Sequence, residues 1–422
     1  MGSIRAKYPD LPIHVHSHDT AGIAVASMLA CAEAGADVID AAIDSMSGLT
    51  SQPSMGAIVS SLEQMELGTG ISHDSIQRLN LYWSEVRQLY QCFEQNVKAS
   101  DSSVFDHEMP GGQYTNLMFQ SQQLGLGSQW SEIKHAYMEA NMLCGDIVKV
   151  TPSSKVVGDL AQFMVANKLS ARDVEEHAST LDFPVSVVEF FQGFLGTPPG
   201  GFPEPLRTHI IRNKERVDTR RGASLPPLDF DKIKSDLTVK YRRPMSECDA
   251  VSWAMYPKVF EEFQAFIEEF GDLSRMPTRF FLGKPKAGEE MHIPIEDGKL
   301  LIVKLLGLGP FHEATGMRDV LFELNSSPRS ISVKDLSASV EEVHHEKATS
   351  EPGSVGSPLA GVVVELKVKE GDAVKPGDAM FVMSAMKMET IVSAQIAGKV
   401  TRVAVKQNDS LSQNDLLCEI TP

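Results

Sequence analysis

The sequence has few cysteines, few tryptophans and no long apolar stretch. Its 422 residues include five cysteines and three tryptophans, and no two cysteines form a CxxC pair. Cysteines this far apart define neither a disulfide framework nor a zinc site, so we expect free, small apolar residues and a reducing compartment. No apolar run is long enough for a transmembrane helix, and the first residues lack the order of a secretory signal. We therefore expect a soluble chain with no visible targeting segment.

The chain also has fewer basic than acidic residues. The formal net charge is -17, which disfavours a basic surface for nucleic acid or anionic membrane, so neither is an expected partner. Apolar residues make up 42% and charged residues 23%, as is ordinary for a globular protein. The length predicts two to four domains.

The first part of the chain alternates between strand and helix patterns. An apolar strand (IHVHS) is followed by a helix over about 21–34, a strand (DVIDAAI) and a helix over about 53–65. Two parallel strands cannot cover their own edges. Residues 1–71 are therefore predicted to be the closing part of a larger α/β sheet or barrel.

The remaining chain divides by pattern into four regions. Periodic apolar residues broken by Gly and Pro predict a helical extension, and the next region mixes a helix with alternating strands. A stretch rich in Ser, Glu, Pro and Gly (VHHEKATSEPGSVGS) predicts a mobile linker. The predicted regions are a helical extension over 72–240, a small α+β module over 241–340, a flexible linker over 341–354 and an all-β domain over 355–422.

The last region contains an internal repeat. Residues 360–383 (AGVVVELKVKEGDAVKPGDAMFVM) align with residues 397–420 (AGKVTRVAVKQNDSLSQNDLLCEI). Both copies alternate apolar and polar residues, which predicts a two-fold, flattened β-sandwich. SAMKMET, between the copies, is then a hairpin that presents Lys387 to solvent; a plain exposed turn is the alternative. This hairpin resembles the modification site of the biotinyl domain family, which implies covalent biotin on Lys387, with lipoylation as the weaker alternative.

Two further patterns contain candidate functional residues. His14 and His16 alternate on a strand, so both side chains face the same way and can bind a divalent ion, but the pattern fits two polar or core histidines equally well. Thr151 lies in VKVTPSSKVVGD, which predicts a turn entering a helix at about Lys155, with Ser153 or Ser154 as its cap. On the residues alone, a structural turn is favoured over a catalytic one.

Six segments, in order, resemble the C-terminal part of the pyruvate carboxylase family: DLPIHVHSHDTAG, DSMSGLTSQPS, EMPGGQYTN, GDIVKVTPSSKVVGDLAQFMV, GGFPEPLR and SAMKMET. The resemblance covers nearly the whole chain. It implies the C-terminal part of a TIM barrel with a helical extension, then an allosteric and tetramerisation module, then a biotinyl domain. Enzymes of this family carboxylate biotin with ATP and bicarbonate, then transfer the carboxyl group to pyruvate to form oxaloacetate.

The resemblance implies roles for individual residues. His14 and His16 correspond to two ligands of a barrel-bound metal ion, zinc or manganese. Thr151 corresponds to the threonine that passes a proton between pyruvate and biotin; its weakly acidic hydroxyl must accept one proton while donating another. Ser154 and Lys155 correspond to positions lining the biotin pocket, where Lys155 can stabilise negative charge.

The resemblance also implies partners and a location. Pyruvate, oxaloacetate and a biotin protein ligase are expected, together with further copies of the chain in a homotetramer. The other expected partners are a biotin carboxylase domain, in cis or in trans, and acetyl-CoA as an effector. The implied location is the mitochondrial matrix or the cytoplasm.

The sequence departs from the family pattern in what it lacks. The family's aspartate and carbamylated-lysine metal ligands, its pyruvate-binding arginine and its ATP-dependent domain have no counterpart here. The chain alone is therefore expected to lack overall carboxylase activity, which ATP-dependent oxaloacetate formation by the purified chain would contradict. A biotin-dependent decarboxylase or transcarboxylase subunit and a non-catalytic biotin carrier fragment remain as alternatives.

Overall fold

A computed structural model of the protein describes residues 1–63, 65–95, 97–312, 315–335, 345–349, 351, 353–385 and 388–422. The chain forms two compact units. The first contains Met1–Gln88, Phe93–Ala223 and Val343–Pro422, and the second contains Leu89–Cys92 and Ser224–Glu342. Among the described residues, no helix has the length and apolar character needed to cross a membrane.

After a first helix that was not predicted, the N-terminal elements follow the predicted strand–helix–strand–helix order. They are α1 (Gly2–Lys7), β1 (His14–Val15), α2 (Ala24–Glu33), β2 (Val38–Ile39) and α3 (Met55–Leu62). β1 and β2 pair in parallel, with His14 opposite Val38. α2 and α3 pack through the buried residues Met28, Ala32, Ile58 and Leu62. The order is confirmed, and both strands are shorter than predicted.

The next part is helical, as predicted. Its helices are α4 (His73–Leu89), α5 (Val104–His107), α6 (Gly111–Gln123), α7 (Trp130–Leu143), α8 (Ser153–Ala166), α9 (Ala171–His177), α10 (Val185–Gln192), α11 (Leu206–Ile211) and α12 (Arg221–Ser224). Every residue of α8 from Val156 to Met164 is buried, because α6, α7 and α10 surround it. A helix buried on all sides gives a rigid support for the residues at its start.

The described residues 224–335 of the second unit form α-helices followed by an antiparallel sheet. The elements are α13 (Phe230–Tyr241), α14 (Glu247–Met255), α15 (Pro257–Phe270), α16 (Thr278–Leu282), β3 (Glu290–Glu296), β4 (Lys299–His312), β5 (Met317–Leu324) and β6 (Ser327–Lys334). The strands pair in sequence order. α13 was predicted to belong to the extension over 72–240, but its Leu237 is buried with Met245 and Phe260, so it belongs to this unit.

The C-terminal strands form two four-stranded sheets. The strands are β7 (Ser354–Gly356), β8 (Gly361–Leu366), β9 (Ala373–Val374), β10 (Ala379–Ala385), β11 (Met388–Ser393), β12 (Gly398–Val403), β13 (Ser410–Leu411) and β14 (Leu416–Thr421). The sheet orders are β11-β10-β8-β13 and β7-β14-β12-β9, so each repeat lends one short strand to the other's sheet. The predicted two-fold sandwich is confirmed.

Repeated aspartates shape matching turns in both copies of the repeat. Each accepts a hydrogen bond at 2.7–2.8 Å from the backbone N–H three residues earlier. The four residues are Asp372, Asp378, Asp409 and Asp415. Such side-chain-closed turns explain why aspartate recurs at these positions of the sequence repeat.

Part of the predicted 341–354 linker is paired with this sandwich. The Leu416 N–H donates to the Glu346 carbonyl (2.7 Å), and the Ala348 N–H donates to the Asn414 carbonyl (2.9 Å). Lys347 Nζ lies 2.7 Å from Asp415 Oδ1. Composition predicted mobility here because it does not reveal backbone pairing. Residues 341–344, 350 and 352 of the predicted linker lie outside the described residues.

All five cysteines are free, as predicted. Cys144 and Cys418 are buried, and burial raises the pKa of each thiol to about 12. At neutral pH these two thiols stay protonated and act as small apolar residues.

Candidate functional site

The two histidines predicted as metal ligands lie side by side and share one carboxylate. His14 Nε2 is 2.7 Å from Asp40 Oδ1, and His16 Nδ1 is 2.7 Å from Asp40 Oδ2. Hydrogen bonds from His14 and His16 lower the pKa of Asp40. Asp40 directly follows β2, the strand that pairs in parallel with β1. An acidic residue at the end of the neighbouring strand was the feature of the sequence that could have identified Asp40 as a partner of the histidines. Sequence reasoning nevertheless missed Asp40.

The histidine pair supplies two of the ligand types that a transition-metal site uses. Imidazole nitrogens are ordinary ligands of zinc and of other divalent transition-metal ions. However, Asp40 engages one ring nitrogen of each histidine, and the part of the chain that the structure describes contains no group of three or more His, Cys, Asp or Glu side chains able to hold an ion. The described residues therefore do not make up a complete set of metal ligands.

The start of α6 lies between this histidine strand and α8. His18 Nδ1 is 2.7 Å from the Thr50 carbonyl, and a Cβ at Gly111 would lie 2.5 Å from that ring nitrogen. Two residues further on, the Gln113 amide lies 2.6 Å from where a Cβ at Gly158 of α8 would be. Gly111 lets the loop that contains His18 approach α6 closely, and Gly158 lets α8 approach α6 closely. The His18 loop and α8 therefore lie on opposite sides of the start of α6.

Thr151 is exposed immediately before α8. Its peptide bond to Pro152 is cis. Among the described hydrogen bonds, none involves its hydroxyl and none joins it to His14 or His16. The Thr151 hydroxyl is thus available both to accept and to donate a proton.

The helix after Thr151 begins earlier than predicted. α8 begins at Ser153, not Lys155, and neither Ser153 nor Ser154 caps it through its side chain. Ser153 Oγ instead donates to the Val148 carbonyl at 2.7 Å. This bond joins the two ends of the loop over residues 148–152, called here the Thr151 loop. Ser153, which was predicted as a helix cap, therefore stabilises this loop instead.

Ser154 and Lys155 occupy the first turn of α8 in different environments. Ser154 is 3% exposed. The Lys155 ammonium pairs with Asp159, one turn along the helix, and Ser186 Oγ donates to the same carboxylate oxygen at 2.5 Å. Burial raises the pKa of Asp159, while Lys155 opposes the rise. Sequence reasoning missed Asp159, although its spacing of four from Lys155 was visible.

One ion pair ties the loop of Thr151 to a neighbouring segment, and a second group of polar contacts surrounds Asp101. Lys149 Nζ, on a side chain that is 9% exposed, lies 2.7 Å from Glu108 Oε2. This pair ties the Thr151 loop to the segment that begins α6. Farther along, Asp101 accepts hydrogen bonds from Tyr114 Oη and Lys134 Nζ, each at 2.9 Å. Contacts therefore join the first four of the six segments that carry the resemblance.

The predicted biotin-bearing residue, Lys387, lies outside the described residues. Its neighbouring strands are described: β10 and β11 pair antiparallel, with Ala385 opposite Met388. Residues 386 and 387 therefore connect two paired strands along the chain.

Comparisons with known proteins agree with this arrangement. Residues 104–304 match the conserved carboxylase domain, and residues 353–420 match the biotin-requiring enzyme domain. Pyruvate carboxylase of Aspergillus terreus is 54% identical over 422 residues, covering 100% of this chain and 35% of that protein. The complete multifunctional pyruvate carboxylase of Rhizobium etli superposes with a TM-score of 0.71 at 38% identity, over 99% of this chain and 38% of that one.

A second solved structure is the carboxyl transferase domain of the Rhizobium etli enzyme with pyruvate and biocytin. It has a TM-score of 0.73 and 42% identity, and covers 80% of this chain and 56% of that chain. These likenesses define a biotin-dependent carboxylase segment with a carboxyltransferase-like fold. The chain belongs to the pyruvate carboxylase family and corresponds to the C-terminal part of the family's proteins. It spans about a third of the length of the curated relatives it matches.

Proposed function

We propose that this protein carries biotin on Lys387 and contributes Thr151 to carboxyl transfer between biotin and pyruvate. The observation that carries the proposal is the sandwich of residues 354–421, which matches a biotin-requiring domain and in which the AMKM motif joins two paired strands. Biotin, when attached, supplies the carboxyl group; the residues of this chain bind, orient and move protons.

Thr151 is proposed to move the proton. The residue is exposed and its hydroxyl has no hydrogen bond within the described residues, so it could accept a proton from the pyruvate methyl group while donating its own to the biotin ureido nitrogen that gives up the carboxyl group. The buried α8 fixes the position of the adjacent residues. Ser154 and Lys155, on its first turn, are the proposed biotin-pocket residues, and the charge of Lys155 would stabilise a developing enolate.

The finer assignments follow from the same family. The parallel pair β1–β2 with its two helices supports assigning residues 1–71 to the closing units of a TIM barrel, with His14 and His16 as two of its metal ligands. By resemblance, we assign residues 241–340 to homotetramer formation and to the response to acetyl-CoA.

The half-reaction with oxaloacetate tests the transfer role. Pyruvate formation from oxaloacetate is measured without ATP in the biotinylated protein, in Thr151→Ala and in Thr151→Ser. We expect the alanine variant to lose at least about 100-fold in rate, and the serine variant to keep most of it, because it retains a hydroxyl.

Other outcomes separate the alternatives. Equal rates in wild type and Thr151→Ala would contradict the role of Thr151. Biotinylated wild type without pyruvate formation would favour a non-catalytic carrier, and sodium-dependent decarboxylation would favour a decarboxylase subunit.

A further inference from the structure

A buried histidine lies in the segment that leads into α6. His107, the last residue of α5, is 2% exposed, and Met109, two residues later, is 1% exposed. The residue between them, Glu108, turns outward, and its side chain is 62% exposed. This short segment is therefore anchored by buried side chains at both ends and presents a carboxylate between them.

The ring of His107 holds the backbone of this turn. The Met109 N–H donates to His107 Nδ1 at 3.1 Å. An imidazole nitrogen that accepts a hydrogen bond carries no proton, so the ring proton is on Nε2. Burial lowers the pKa of His107, which keeps Nδ1 able to accept at neutral pH, although the Asp101 carboxylate opposes this shift. Nε2 has no hydrogen-bond partner among the described residues, so the ring supports the turn through Nδ1.

Glu108 needs this support because of its backbone conformation. Its φ is 53° and its ψ is 27°, in the left-handed region that a residue with a Cβ enters only at a cost in free energy. Its own N–H donates to the Val104 carbonyl at 2.8 Å, and the next N–H along the chain is the one that His107 binds. Loss of the bond to His107 would let the backbone leave this region and would move the Glu108 carboxylate.

The Glu108 carboxylate is the link to the Thr151 loop. Lys149 Nζ lies 2.7 Å from Glu108 Oε2, and the Lys149 side chain is 9% exposed. A largely buried ammonium is destabilised without a counter-charge, and no other carboxylate pairs with Lys149 in the described part of the chain. Lys149 lies two residues before Thr151, so a shift of Glu108 would be transmitted to the loop that holds this hydroxyl.

We propose that His107 is a positioning residue for carboxyl transfer. Its Nδ1 holds Glu108 in the conformation that pairs with Lys149, and this ion pair sets the position of the Thr151 loop. The proposal rests on the proposed function for its catalytic consequence, since it names the group that positions Thr151. The positioning itself is measurable without biotin or substrate.

Three substitutions separate the Nδ1 acceptor from the rest of the ring. His107→Asn keeps an acceptor, because the asparagine Oδ1 takes a place close to that of Nδ1, whereas His107→Gln carries its amide one bond farther out and His107→Leu has no acceptor. Hydrogen exchange is measured at two amides that close the Thr151 loop. The Val150 N–H donates to Ser153 Oγ at 3.1 Å, and the Ser153 N–H donates to the Val150 carbonyl at 2.7 Å.

We expect exchange at both amides to accelerate at least about tenfold in the glutamine and leucine variants, and to change less than about twofold in the asparagine variant. His135→Leu replaces an exposed histidine of α7 and is the matched control, which should leave both amides unchanged. The Leu160 amide, in the buried middle of α8, is the internal control for every variant. Equal acceleration in all three His107 variants, or acceleration in none, would overturn the proposal.

A double-mutant cycle tests whether the ion pair carries the effect. Glu108→Gln removes the charge that pairs with Lys149 and should itself accelerate exchange at the two loop amides. Adding His107→Gln to Glu108→Gln should then change the exchange rates by less than about twofold, because the link is already broken. Fully additive effects of the two substitutions would contradict this route from His107 to the loop.

The rate of pyruvate formation from oxaloacetate connects the loop to the reaction. In the biotinylated protein, His107→Gln should lower kcat about tenfold with little change in KM, because a displaced hydroxyl impairs proton transfer more than binding. His107→Asn should keep most of kcat. Accelerated exchange in His107→Gln with an unchanged kcat would overturn the positioning role. Exchange in the expected order, in a wild-type protein that forms no pyruvate, would support the positioning of the loop and refute the transfer role of Thr151.

Discussion

Lys155 and Asp159 are bound to each other across one turn of α8, yet only one of them reaches solvent. The Asp159 side chain is 1% exposed, whereas that of Lys155 is 40% exposed. Ser186 also donates to the bound oxygen, while Asp159 Oδ1 has no hydrogen-bond partner among the described residues. The position of the Lys155 ammonium is therefore set by an anion buried beneath it.

Replacing Lys155 should destabilise the protein, because the buried Asp159 carboxylate would lose its positively charged partner. We predict that Lys155→Met lowers the free energy of unfolding of the first unit by about 3 kcal/mol, because the buried carboxylate loses its counter-charge. In Lys155→Met/Asp159→Asn most of this loss should be regained. Urea denaturation of the four members of the double-mutant cycle measures the coupling.

An exposed pair with the same spacing provides the control. Arg172 and Glu176 are also four residues apart, but their side chains are 84% and 50% exposed. Arg172→Met should change the free energy of unfolding by no more than about 0.5 kcal/mol. A similar effect at both sites would mean that burial does not govern the Lys155 pair.

Asp159 should also change how stability depends on pH. Burial raises its pKa, so the folded state binds a proton more readily than the unfolded state, whose pKa is near 3.8. Stability from this group is complete below that value and is lost as pH rises through the raised pKa. The stability of wild type relative to Asp159→Asn should therefore fall as pH increases above about 4. A difference that grows with pH would contradict the sign.

Asp101 should behave in the opposite way. Burial alone raises its pKa, but hydrogen bonds from Ser103, Lys134 and Tyr114 outweigh burial and hold the pKa well below its usual range. Its contribution is present above the unfolded value of about 3.8 and is lost as pH falls through the lowered pKa. Asp101→Asn should lower the free energy of unfolding by about 1 to 2 kcal/mol at neutral pH, reduced by partial exposure.

A thermal or urea titration from neutral to strongly acidic pH measures this effect. Wild type and Asp101→Asn should converge as Asp101 becomes protonated. Tyr114→Phe removes one of the donors and should show a smaller loss with the same pH dependence. Curves that remain parallel down to strong acid would show that the ionised carboxylate is not the source.

The sequence predicted best where a pattern repeats locally. The two copies of the repeat, around Asp372 and Asp409, allowed the sandwich to be predicted, because the alternation of apolar and polar residues and the turn residues determine local structure over short stretches of chain. The pairing of Glu346 with β14 was not predictable from the composition of a polar segment. Asp40 and Asp159 were also missed: each lies close in sequence to a predicted site residue or strand, but only the fold shows which donors their carboxylates meet.

The attachment of biotin to Lys387 tests the central claim most directly. The protein is expressed with a biotin ligase, and the adduct is mapped by intact mass and peptide fragmentation. We predict a single biotinyl group on Lys387, lost in Lys387→Arg and retained in Lys375→Arg, which changes an exposed lysine elsewhere in the sandwich. A lipoyl mass, an adduct on a different lysine, or an unmodified chain in the presence of active ligase would contradict the account.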